Sequence, residues 1–152
     1  MNPLETFRDG LADITSYGLL SVAVLIAGFA ALDAITPGSL RTKAWVEHNR
    51  SAVILAVAQA SGLTVALAAA IGASTAFDLW RGVLFTAGYG VVTIALQVFS
   101  FVLIDWLTPG RLGAILLDAE TDHSRAAWLN AVVFVAIGLF TAAALGGAAG
   151  VY

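Results

Sequence analysis

The sequence has no cysteine and only three prolines, and just 11% of its 152 residues are charged. Without cysteine there are no disulfides, no thiolate metal sites and no cysteine nucleophile. A typical soluble domain is about a quarter charged, so water is not the main solvent of this chain. The seven basic residues are scattered, the net charge is −3, and no basic run exists to track a nucleic acid. Also missing are a nucleophile beside a base, a phosphate-binding glycine loop and paired carboxylates on one helix. Neither an enzyme nor a bound cofactor is expected on that inventory. The basic leader and cleavage site of a signal peptide are missing too, so the mature chain is expected to begin near Met1.

What is present is apolar: 60% of the residues are hydrophobic and the mean hydropathy is +0.92. Long apolar runs occupy residues 14–36, 51–72, 82–108 and 126–150. Each exceeds the ~20 residues that cross a bilayer core, and a chain of this length has little room for anything else. A soluble bundle needs helices with a polar face, and these runs are apolar all round. The expected fold is an all-α integral membrane protein with four transmembrane helices. Residues 1–13 precede the first span and 73–81 join the second to the third. In the first segment Leu4, Phe7, Leu11 and Ile14 fall on one helical face and Glu5, Asp9 and Asp13 on another. That pattern suits a short interfacial helix, and a solvated terminus accounts for it as well.

The chain contains two copies of one pattern. LDAITPGSL at residues 32–40 returns as IDWLTPGRL at residues 104–112, and EHNRSA at residues 47–52 returns as DHSRAA at residues 122–127. The matched blocks keep their order, so residues 14–72 and 82–150 read as tandem helical hairpins. With two spans per copy, both copies enter the membrane in the same sense, in parallel orientation about an axis along the membrane normal. Arg41, Lys43, Arg50, Arg111 and Arg125 fall in the loops inside the pairs, against Arg8 and Arg81 on the other side. The positive-inside rule then places those loops in the cytoplasm and both termini outside.

Asp33 and Asp105 are the most informative residues, each about one turn inside the end of an odd-numbered span. There a carboxylate loses hydration and meets the negative end of its own helix. Arg50 and Arg125 begin the even-numbered spans, at a helix end unfavourable to a cation. Charges misplaced in complementary senses predict ion pairs between these aspartates and arginines. The positive-inside signal alone also explains the arginines, and a carboxylate reaching back to the headgroups also explains the aspartates. Asn49 and Ser124 match across the copies and are expected to cap the even spans. His48 and His123 read as solvated loop residues, with a proton-sensing pair as the alternative. Glu47 and Asp122 beside them lack metal-ligand spacing, and no metal is expected.

Inside the spans, Gln59, Ser61, Thr64, Tyr89, Thr93, Gln97 and Ser100 must find hydrogen-bond partners, either across helices or along a wet path. Ala52, Ala56, Ala60, Thr64, Ala68 and Gly72 form a small-residue ladder, as do Gly138, Ala142, Gly146 and Gly150; such ladders let helices approach closely, within the bundle or between subunits. Trp45, Trp80, Trp106 and Trp128 fall at span ends, as an aromatic belt does. The expected partners are the lipid bilayer and a second copy or another membrane or cytoplasmic protein, with no nucleic acid. The expected role is a non-catalytic membrane subunit; the alternative is an ion or proton pathway using Asp33 and Asp105, with Gln59 and Gln97 along it.

Four spans in two pairs, with D-x-x-T-P-G ending the odd spans and H-N-x-x-A starting an even one, resemble the bacterial Domain of Unknown Function 350 family, also called uncharacterised protein family 0719. The likeness covers about residues 17–147 and rests on Asn49, Ala52, Pro37 and Pro109, with Ser124 where an asparagine is usual. It implies a multi-pass protein of the bacterial inner membrane and supplies no mechanism.

Overall fold

The structure, a computed structural model, describes residues 2–36, 39–107 and 124–149. Among them are five helices and no strand: α1 (Pro3–Ile35), α2 (Leu40–Trp45), α3 (Arg50–Ser74), α4 (Leu79–Leu107) and α5 (Ser124–Ala149). All but α2 contain a stretch long and apolar enough to cross a membrane.

α1 starts on a cap: Asn2 Oδ1 accepts from the Leu4 N–H at 3.3 Å, and Pro3 takes a position where no N–H is needed. It then runs unbroken for 33 residues. Residues 3–13 are therefore the first turns of the same helix that carries the first apolar run, because nothing between them and Ile14 stops a helix. The Thr36 N–H still reaches Leu32 O at 3.1 Å, and Pro37 follows in sequence, which ends the helix. The connection between α3 and α4 is shorter than the expected 73–81. Phe77 N–H turns back to Ser74 O at 3.1 Å and Gly82 N–H to Asp78 O at 2.9 Å, so Trp80 and Arg81 belong to the first turn of α4.

α3 packs against every other helix, most extensively against α5, while α1 and α5 flank α3 and α4. The main apolar cluster joins Leu32 of α1, Leu40 of α2, Ala52 and Leu55 of α3, Phe101 of α4, and Ala127 and Phe134 of α5. A smaller one joins Val24 to Leu63 and Leu67. Large apolar side chains elsewhere, such as Leu19, Ile26, Phe99, Leu129 and Phe140, are exposed, which suits an outer surface bathed in lipid rather than water.

The closest helix approach is between α3 and α5. A β-carbon added to Gly138 would overlap Gly62 O, and one added to Gly62 would overlap Phe134 O. The two backbones touch there, and only glycine permits it.

Candidate functional site

Both glutamines of the chain meet beside this crossing. Gln59 is 2% exposed and its Nε2 donates to Gly28 O at 2.7 Å, tying α3 to α1. Gln97, fully buried, sends its Nε2 to Gln59 O at 3.4 Å and Phe134 O at 3.3 Å. One amide of α4 thus reaches both α3 and α5. A β-carbon on Gly62 would lie 2.9 Å from Gln97 Nε2, so the glycine that admits α5 also makes room for the glutamine. Gln97 Oε1 has no hydrogen-bond partner, nor has either polar atom of Asn130, which is 1% exposed. Unpaired amide atoms cost several kcal/mol in a medium without water.

The inner stripe of α4 continues this polar seam: Gly82, Thr86, Gly90, Thr93, Gln97 and Phe101 are its buried residues. Ser74 Oγ and Thr86 Oγ1 lie 3.1 Å apart, and the Tyr17 hydroxyl fills the space a Gly82 side chain would take. Four other intramembrane hydroxyls are satisfied on their own helices. Ser61 Oγ donates to Val57 O, Thr64 Oγ1 to Ala60 O and Ser100 Oγ to Gln97 O, each at 2.8 Å. Thr93 Oγ1 does the same to Tyr89 O at 2.8 Å.

The charged candidates are arranged around α2, a helix the loop composition did not announce. Asp33 Oδ1 accepts from the Arg41 N–H at 2.8 Å, next to Ser39, whose Oγ accepts from the Thr42 N–H. The carboxylate takes its positive partner from the N-terminus of α2. No ion pair joins Asp33 to Arg50; the ion pairs among the described residues are Arg8–Asp9 at 3.0 Å and Lys43–Glu47 at 3.3 Å. Asp105 is half-buried and engaged in an interaction. Asn49 Oδ1 accepts from the Ala52 N–H at 3.2 Å at the start of α3. His48 is exposed, with a φ of 52° and its Nδ1 3.1 Å from Val46 O. The side chains of Ser124 and Arg125, and all of His123, Arg111, Pro37 and Pro109, lie outside the described residues.

Two features were not singled out by sequence reasoning. Asn130 carried a signal, an amide inside a run long and apolar enough to span. Gly62 carried none, because its partner is 76 positions away at Gly138 and one among 15 glycines.

Long apolar helices, an outer surface of large aliphatic and aromatic groups and a polar seam kept inside define a multi-pass helical membrane protein. The chain belongs to the Domain of Unknown Function (DUF350) family, whose model matches residues 6–145. It is 35% identical over 142 residues to UPF0719 transmembrane proteins of Mycobacterium bovis and Mycobacterium tuberculosis, covering 93% of this chain and 91% of each relative. To the UPF0719 transmembrane protein of Mycolicibacterium paratuberculosis it is 31% identical over 129 residues, or 85% of this chain and 83% of the relative. No solved structure matches.

Proposed function

We propose that this is a non-catalytic subunit of the bacterial inner membrane that assembles with further copies of itself, or anchors a membrane or cytoplasmic partner, through the outer face of α3. The supporting observation is where the small-residue ladder points. Ala52 is buried, but Ala60, Thr64, Ala68 and Gly72 are exposed, and a β-carbon on Gly72 meets nothing within 4 Å. Small residues every fourth position serve the close approach of a second helix; against lipid they have no such use. In this reading the two sequence copies are two hairpins inserted in the same sense. The loops carrying five of the seven basic residues face the cytoplasm, and both termini lie outside.

The absence of native cysteine makes the test direct. Single cysteines at Thr64 and Ala68 should cross-link in native membranes to a dimer or to a partner, and Ala60→Leu with Ala68→Leu should abolish the product. A monomer in every case would sink the proposal, and a cytoplasmic signal from a reporter at the C-terminus would overturn the orientation.

A second reading, an ion or proton pathway with Asp33 and Asp105 as its ionisable groups, draws support from the unpartnered amide atoms of Gln97 and Asn130. Proteoliposomes should then pass protons or monovalent cations, and Asp33→Asn with Asp105→Asn should stop the flux. Unchanged flux in that double variant removes the aspartates from the path.

A further inference from the structure

We infer that the outer groove between α3 and α5 seats one anionic glycerophospholipid, its acyl chain in the groove and its phosphate against Arg50. The groove has a volume of about 510 Å³ and is lined by Val53, Val57 and Ser61 of α3 and Trp128, Val132 and Leu139 of α5, among others. That size falls within the ~300–1,000 Å³ of small-ligand sites.

Its length selects the occupant. From Arg50 to Ser61 is eleven residues of α3, and from Trp128 to Leu139 eleven of α5, each about 16 Å at 1.5 Å per residue. This is about half of a ~30 Å hydrocarbon core, the depth of one leaflet. The groove stops where Gly62 and Gly138 bring the helices into contact. An acyl chain that reaches from the headgroups to mid-bilayer needs a seat of this length.

The charge at its mouth selects the headgroup. Arg50, Ile54, Val57 and Ser61 follow one another at i, i+4, i+7 and i+11, so Arg50 stands on the groove face one turn above the apolar lining. It is exposed, and no ion pair or side-chain hydrogen bond involves it among the described residues. It also opens α3, whose N-terminal dipole repels its charge. A phosphate there pairs with the guanidinium and suits the helix end as well. Trp45 borders a smaller depression that shares Val53 and Val57, and with Trp128 it places the mouth at the level of the headgroups. In register, Arg125 stands three residues before Trp128. Two other outer grooves lack this combination. The one between α4 and α5 starts at Val92 and Ile137, at least eleven residues from the nearest basic residue of either helix, whereas Arg50 is three residues from Val53. At the one around Phe77 and Leu84 Arg81 lies over the Trp80 ring at 5.4 Å.

This site occupies the half of α3 from Arg50 to Ser61, whereas the proposed subunit contact is centred on Thr64, Ala68 and Gly72, so the two can fail separately. To test it, the full chain is reconstituted in phosphatidylcholine vesicles holding trace spin-labelled phosphatidylglycerol or spin-labelled phosphatidylcholine, and the motionally restricted fraction is read for each lipid. Phosphatidylglycerol should be preferred. Arg50→Gln should cut that preference about five-fold, the ~1 kcal/mol of one basic residue at an anionic surface, while Arg50→Lys retains it. Val57→Trp, filling the groove from an exposed position, should release both lipids without changing the oligomeric state. Equal association of the two lipids, a preference indifferent to Arg50→Gln, displacement by millimolar inorganic phosphate, or a Val57→Trp variant that dissociates subunits instead of lipid would each overturn the assignment.

Discussion

Replacing Gly138 by alanine should loosen the bundle at its tightest point, and the structure sets the size of the effect. The new β-carbon would sit 2.6 Å from both Cα and C of Gly62 and would overlap its carbonyl oxygen. Carbon atoms are comfortable at about 3.5–4.0 Å, so the helices must part by about 1 Å, and a gap of that size forfeits up to about half of each affected dispersion contact. No flexible side chain can yield instead, since the obstruction is backbone. Forced insertions of this kind cost about 1–3 kcal/mol. The Gln97 bond to Phe134 O of α5, already 3.3 Å long, would stretch past bonding range, at about 0.6 kcal/mol. Alanine returns up to about 1 kcal/mol through its better helix propensity. The net expectation is a loss of about 1–3 kcal/mol. The control is Gly146→Ala on the same helix, where an added β-carbon meets nothing within 4 Å and stability should hold or rise by up to about 1 kcal/mol. Reversible unfolding in mixed micelles of rising dodecyl sulfate fraction, followed by far-ultraviolet circular dichroism, measures both. If the two variants agree within about 0.5 kcal/mol, the α3–α5 contact is not as close as described.

Asp33→Ala should remove one of the two side-chain acceptors at the start of α2, leaving Ser39 Oγ, at about 1 kcal/mol and raise protease sensitivity within residues 39–49, whereas Asp33→Asn keeps an acceptor oxygen and should be nearly silent in the same digestion. Gln59→Leu deletes a buried bond to Gly28 O and should destabilise by about 1 kcal/mol in the same micelle titration. Asn130→Leu should do the opposite, since it removes an amide that bonds to nothing and whose burial costs about 1–3 kcal/mol; a destabilised Asn130→Leu would mean that the amide has a partner. Asn49→Ala should cost about 1 kcal/mol through the lost bond to Ala52.

The four spans were legible because a bilayer demands one thing of a helix, apolar length, and a hydropathy run records it directly. Their ends were less legible. α1 overran its expected start because the charges at Glu5, Arg8, Asp9 and Asp13 mark where polarity changes, and a helix does not stop for that. α2 went unread because six residues in a polar loop have no period to detect; it exists through a cap from Asp33, eight residues before Arg41, and through Leu40, which is fully buried. Of the candidate site, Gln59 and Gln97 were visible one by one as misplaced polarity. That they meet depends on the register of α3 against α4, where Gly62 leaves room for the Gln97 amide, and no local pattern encodes that register. The ladder on α3 shows the same limit from the other side: its spacing announced a packing face, but only the bundle shows that the face is turned outward.

The length of α1 has a mechanical consequence. Its 33 residues extend about 50 Å, and laying them within a ~30 Å core would take a tilt of about 53°, beyond the ~0–40° range of membrane helices. Its first turns, with Arg8 and Asp9 paired at their surface, must therefore rise out of the hydrocarbon as a stiff mast. Its foot is set among Val24, Gly28 and Leu32, and Gly28 is bonded to Gln59. A push on the mast is thus delivered, without any hinge between, to the amides at the middle of the membrane.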